Sequence, residues 1–198
     1  AVAGIDASVG MIEVARARLP DADLRVGDLA DLPWGDDEFD AAFSMFGLMF
    51  FPDRARGFKE LLRVLKPGGK AVVSSWAPLE GIFKSVMGAM AELLPEIPFG
   101  SGKGPLGDAD EFAAELRDAG FVEVQVLPKT HSMPAESPAA VWASCERTTA
   151  PIVLLRRNLG EQKWSEVSRG VAERLERQYG SGPINFTATA LLGVGRKP

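Results

Sequence analysis

The chain has 198 residues, and 27 acidic against 22 basic side chains leave a net charge of −5. That length suits one domain with a real core, and hydrophobic and charged fractions of 46% and 25% exclude a disordered or collagen-like chain. An acidic chain with no block of Lys or Arg argues against nucleic acid as a partner, while a single cysteine, Cys145, and a single histidine, His131, exclude an internal disulfide and a histidine-rich metal cluster.

The N-terminal half alternates strand and helix. Residues 1–5 are a short apolar run ending at Asp6. Ser8 then offers an N-cap for a helix carrying Met11, Ile12, Ala15 and Leu19 on one face and stopped by Pro20. Residues 24–26 are a second strand closed by Gly27-Asp28, and 33–37 read as a turn. Residues 39–46 are a third strand, apolar on both faces apart from Asp40 and Ser44, which suits a parallel sheet covered by helices. Residues 53–65 are a helix whose Phe58, Leu61, Leu62 and Leu65 share one face. Lys66-Pro67-Gly68-Gly69 ends it, the glycines being free to take positive φ. Residues 71–76 are the fourth strand, and the alternation predicts a right-handed parallel α/β sheet.

Beyond residue 78 the pattern loosens. Residues 81–94 form a helix with a wide apolar face, and 100–107 a glycine-rich loop. Asp108, with Glu111 three positions on, starts a helix that runs to Ala119 and ends at Gly120. Residues 121–127 alternate like an edge strand, 138–179 hold two or three helices, and 185–195 are a final strand in which Gly193 and Gly195 read as edge relief. The longest nearly apolar run, 41–51, is too short to cross a bilayer, so no membrane partner is expected. No charged-then-apolar leader opens the chain, which predicts a cytoplasmic protein. The first residue, Ala1, is not a methionine and reads as a truncated N-terminus.

Chemistry-bearing residues stand at the ends of the first three strands, where ligands bind in open parallel sheets. Asp6 can accept from both hydroxyls of a ribose, Met11 offers a soft thioether to a flat ring, Asp28 can accept from an amino group, and Ser44-Met45-Phe46-Gly47 opens its backbone beside a ligand. Taken singly each has a plainer reading: Asp6 as a capping residue, Met11 as core, Asp28 as a turn.

The ordered set resembles a known family. Gly4-Ile5-Asp6-x-Ser8-x-x-Met11, Gly27-Asp28 with Leu32-Pro33-Trp34, Phe39-Asp40, and Leu62-x-x-Leu65-Lys66-Pro67-Gly68-Gly69 are similar to the successive motifs of class I S-adenosylmethionine-dependent methyltransferases. They are nearest the type 11 domain that includes ubiquinone/menaquinone-biosynthesis methyltransferases, specifically over 2–76 and loosely to 198. The resemblance implies a Rossmann-like α/β sheet, mostly parallel with an antiparallel final strand. It implies that Asp6 holds the ribose of S-adenosylmethionine, Ala7 and Met11 flank the adenine, Asp28 and the Leu29 N–H meet its edge, and Ser44 and Met45 line the methionine portion. It also implies in-line methyl transfer to a small-molecule acceptor, with a base optional.

The family's first strand and its glycine-rich loop would precede Val2, in the sheet centre between the strands at 1–6 and 39–46; this sequence lacks both. Residues 1–77 then form the cofactor half of one domain, with 78–107 and 138–180 as substrate-cap insertions. Ile82, Phe83, Met87, Met90, Phe99 and Trp142 either line an apolar cavity for an apolar or aromatic acceptor or close the core. His131 is the one candidate for a neutral-pH base, or a surface residue. Gly100-x-Gly102-x-Gly104 mimics a cofactor loop but follows no apolar strand. Two competing functions remain: a nicotinamide dehydrogenase, which the Leu-Lys-Pro-Gly-Gly segment speaks against, and an inactive, degenerate or truncated domain that oligomerises, as a homodimer through open sheet edges.

Overall fold

The computed structural model describes residues 2–97 and 104–198. Strands β1 (Ala3–Asp6) and β2 (Asp23–Val26) form a parallel pair, in register from Ala3 opposite Asp23 to Asp6 opposite Val26. Helix α1 (Val9–Arg18) joins them, and the Ser8 hydroxyl caps it by accepting the Met11 N–H at 3.4 Å. The apolar face expected on α1 is only partly buried: Ile12 is enclosed, whereas Met11 and Leu19 are 58% and 51% exposed. Apolar and polar side chains alternate around this short helix without forming a stripe, so one residue carries its packing. The Arg16 guanidinium, donating to the Leu24 carbonyl at 2.7 Å, ties it to β2 instead.

A second sheet has the order β3-β4-β6-β5, from β3 (Phe39–Met45), β4 (Leu65–Trp76), β5 (Val122–Ala135) and β6 (Ile184–Arg196). β3 and β4 are parallel, with Ala42 opposite Ala71 and Ser44 opposite Val73. β6 runs antiparallel to β4, which makes the sheet mixed, as the Rossmann-like expectation required. Helix α2 (Arg54–Val64), capped by the Asp53 carboxylate, passes directly into β4. Lys66-Pro67-Gly68-Gly69 therefore does not separate helix from strand. It lies within β4 where the register jumps, Phe39 facing Leu65 but Ala41 facing Lys70. Gly68 takes φ +81°, and a Cβ on Gly69 would meet the Lys66 carbonyl at 2.8 Å, so the excursion needs both glycines.

Phe58 of α2 packs with Leu65 and Val73 of β4, and with Phe112 and Leu116 of helix α4 (Ala109–Asp118), all fully buried. Asp108 starts α4 by accepting the N–H groups of Asp110 and Glu111. Gly193 and Gly195 are not at an edge. They lie on β6 between β4 and β5, where a Cβ would stand 2.6 Å from Phe112 Cζ and 2.8 Å from Phe121 Cβ respectively. Their bareness lets the Phe112 and Phe121 side chains come close to the strand.

The chain divides into two compact units: 1–77 with 105–129 and 190–198, and 78–104 with 130–189. The second unit packs helices α3 (Gly81–Leu93), α5 (Pro138–Thr148) and α6 (Ala150–Tyr179), the last bent at Gly160, where φ is +76°. Its core holds Ile82, Met90, Trp142, Trp164, Val171 and Leu175. Ile82, Met90 and Trp142 thus follow the plainer of their two readings and close a core; Phe83 and Met87 are half-buried. Phe99, Gly100 and Gly102 lie outside the described residues.

One ion cluster fastens the 32–36 turn to α2. Arg63 donates to Glu60 through Nε at 2.7 Å, to Asp36 at 2.8 Å, and to the carbonyls of Trp34 and Leu32 at 2.9 and 3.0 Å. Glu60 in turn accepts the Leu32 N–H at 2.8 Å. The Arg63 guanidinium, more than burial opposes it, holds the Glu60 carboxyl below its ordinary pKa of 4.5. A carboxyl that is a stronger acid when folded stabilises above its unfolded pKa and loses that contribution as pH falls through its folded one. Glu60→Gln should therefore cost about 1–3 kcal/mol at neutral pH. In urea melts the gap from wild type should close as the pH drops below 4.5.

Candidate functional site

A cleft of about 460 Å³ opens in the first unit. The residues around it say how it meets the strands. Ala3, Gly4, Ile5, Asp6 and Ala7 line it in unbroken succession, as do Ala41, Ala42, Phe43, Ser44 and Met45. A strand that offers a face to a cavity contributes every second residue, whereas one that offers its edge contributes all of them. The cleft therefore runs along strand edges. β1 pairs only with β2 and β3 only with β4, so these edges have no strand partner among the described residues.

Six of the seven residues expected to meet a cofactor line this one cleft: Asp6, Ala7, Asp28, Leu29, Ser44 and Met45. Asp6 ends β1 with Oδ1 accepting the Ser8 N–H at 2.8 Å, which fixes the carboxylate, while Oδ2 accepts no hydrogen bond among the described residues. Asp28 is held in the same way by the Ala30 N–H at 2.9 Å. Ser44 accepts the Leu48 N–H at 3.0 Å and so anchors the short 3-10 turn Leu48–Phe50. Met45 is 56% exposed. Met11 is on α1 and not part of the lining, and His131 is an exposed residue of β5 in the second unit. Among the described residues no group of three or more His, Cys, Asp or Glu could hold a metal ion.

Leu61 is buried in the core, as its helical spacing implies, and also lines the cleft, as does Trp34, a motif turn residue in the sequence. Trp34 is fixed by its Nε1–H on Asp23 at 2.9 Å, by the Arg25 guanidinium 5.3 Å from its ring, and by an edge contact with Phe39 at 5.5 Å. Arg25 and the Trp34 N–H together lower the Asp23 pKa. Phe46 gives no signal in the sequence beyond its place at a strand end. It leaves β3 with φ +56°, its N–H on the buried Ser74 hydroxyl at 2.9 Å and its ring stacked on Trp76 at 4.2 Å.

A parallel strand pair and a mixed sheet, with candidate ligand residues gathered at strand ends, make a Rossmann-like α/β architecture. The same architecture is found in a protein of Bacillus halodurans C-125 described as a methyltransferase, with a TM-score of 0.58 and 20% identity, covering 100% of this chain and 83% of that one. A phosphoethanolamine N-methyltransferase of Haemonchus contortus, solved with S-adenosyl-L-methionine, gives a TM-score of 0.54 at 18% identity, covering 100% of this chain and 43% of that one.

Sequence similarity points the same way. Residues 1–73 match the methyltransferase domain family, and a demethylmenaquinone methyltransferase of Renibacterium salmoninarum is 34% identical over 137 residues, 62% of this chain and 58% of that protein. In fold and in sequence the chain is thus similar to methyltransferases. The aligned region spans less than two thirds of that relative. No helix among the described residues is long and apolar enough to cross a membrane.

Proposed function

We propose that the protein transfers a methyl group from S-adenosylmethionine to a small aromatic acceptor of the quinone type. The observation that carries this reading is the convergence of Asp6, Ala7, Asp28, Leu29, Ser44 and Met45 on one cleft. The cleft volume is in the range of small-molecule sites, and two fixed carboxylates at its rim suit a ligand rich in hydroxyl and amino donors. Asp6 would take the ribose, Asp28 and the Leu29 N–H the adenine edge, and Ser44 with Met45 the methionine portion. Once bound, S-adenosylmethionine supplies an already activated sulfonium methyl. The protein's own work is alignment and the exclusion of water, by walls such as Trp34, Leu61 and Val64. The quinone-type acceptor is inferred from the names of the relatives.

Calorimetric titration tests the reading. The chain should bind S-adenosylhomocysteine at micromolar concentration and leave NAD unbound; binding of NAD alone would overturn it in favour of a dehydrogenase. A second reading draws on the edges that have no strand partner among the described residues, where Val2, Phe43 and Met45 are 62%, 67% and 56% exposed. In it the domain is an oligomerising module that forms a homodimer through β1 or β3. Concentration-dependent sedimentation without S-adenosylhomocysteine affinity would favour this second reading over the first.

A further inference from the structure

We infer that Phe46 and Trp76 form the platform on which the ring of a planar aromatic acceptor stacks, an assignment that rests on the methyl-transfer reading and deepens it. Phe46 follows directly on Ser44 and Met45, which line the cleft, and precedes Gly47, which lines it too. The backbone at Phe46 is left-handed, a conformation in which glycine or asparagine is at ease and a β-carbon is crowded. Two hydroxyls hold it there: Ser74, fully buried, accepts the Phe46 N–H, and Ser44 accepts the Leu48 N–H. The outcome of this constraint is the position of one ring. Phe46 lies nearly parallel to Trp76, at 18° and 4.2 Å between centroids.

Phe46 is half-buried against the core of the first unit, but Trp76 keeps 41% of its surface exposed. Phe50, three residues past Gly47 along the short turn, is 69% exposed. A tryptophan backed by a second aromatic ring, at the end of the strand beside β3, is a rigid flat surface next to the residues assigned to the methionine portion of the donor. Flat aromatic ligands gain from offset stacking on such a surface beyond the area they bury. An aliphatic acceptor would gain only the burial, so the platform selects for aromatic rings.

The test uses the full chain and two probes, 2-methyl-1,4-naphthoquinone for the platform and S-adenosylhomocysteine for the donor site, each titrated by calorimetry. Trp76→Leu and Phe46→Leu should each weaken the naphthoquinone by roughly three- to tenfold and leave S-adenosylhomocysteine binding unchanged. Trp76→Leu alters a partly exposed side chain and remains informative should Phe46→Leu fail to fold. No naphthoquinone binding by the wild type, equal binding in both variants, or a parallel loss of S-adenosylhomocysteine affinity would overturn the platform. If S-adenosylhomocysteine fails to bind the wild type, the methyl-transfer reading falls, while the naphthoquinone titrations still decide the platform.

Discussion

Asp6→Ala should weaken S-adenosylhomocysteine binding about a hundredfold or more, because a charged acceptor bonded to two ribose hydroxyls loses both bonds at once. Asp6 is suited to that role by its place at the end of a strand and by the Ser8 N–H on Oδ1, which orients the carboxylate before any ligand arrives. The same bond means that the substitution also removes a local acceptor at an exposed position, at a cost of about 1 kcal/mol or less. Calorimetry therefore needs a stability control. Asp6→Asn keeps an oxygen for Ser8 and removes the charge, so it should fold like wild type and bind at an intermediate level. Wild-type affinity in both variants would remove Asp6 from the site.

The largest effect on stability is expected where helix α4 meets strand β6. Phe112→Ala empties a fully buried position and should cost about 3–5 kcal/mol. Gly193→Ala should cost about 1–3 kcal/mol for the opposite reason. Its Cβ would stand 2.6 Å from the Phe112 ring and 2.9 Å from Leu116 Cδ1, both side chains without free space around them. The double substitution is the sharper measurement. Removing the ring removes most of the clash, so the combined cost should fall below the sum of the single costs by about 1 kcal/mol or more. Strict additivity in urea melts would mean that the strand and the ring do not approach so closely.

What was legible in the sequence follows the physics of each segment. β3 could be located because a mostly apolar run of strand length has few alternatives, but the burial expected on both its faces is not found, Phe43 and Met45 being 67% and 56% exposed; α2 could be read because Phe58, Leu61 and Leu62 repeat at helical spacing. The strand tips at Asp6, Asp28 and Ser44 could be singled out because polar residues closing apolar runs interrupt a pattern. α1 misled: its capping signal was clear, but capping fixes where a helix starts and not how deeply it is buried, and Met11 is exposed. Gly193 misled in another way. A glycine in a strand signals that something comes close, and only the tertiary partner, Phe112, says what. Trp34 and Leu61 were unreadable as cleft walls because a cavity is defined by what is absent opposite a side chain, which no local pattern encodes. The left-handed turn at Phe46 is hidden for a related reason, since the buried hydroxyl that stabilises it belongs to Ser74, 28 positions away.

β3 has a paired edge and a bare one, and that asymmetry has a spectroscopic consequence. Successive amides of a strand point to opposite edges, so alternate N–H groups of β3 bond to β4 while those between face the cleft. Hydrogen–deuterium exchange should accordingly be a zigzag along residues 39–45, slow and fast by turns, whereas β4, flanked by β3 and β6, exchanges slowly throughout its paired stretch. A uniformly slow profile along β3 would mean that its bare edge has acquired a strand partner in solution.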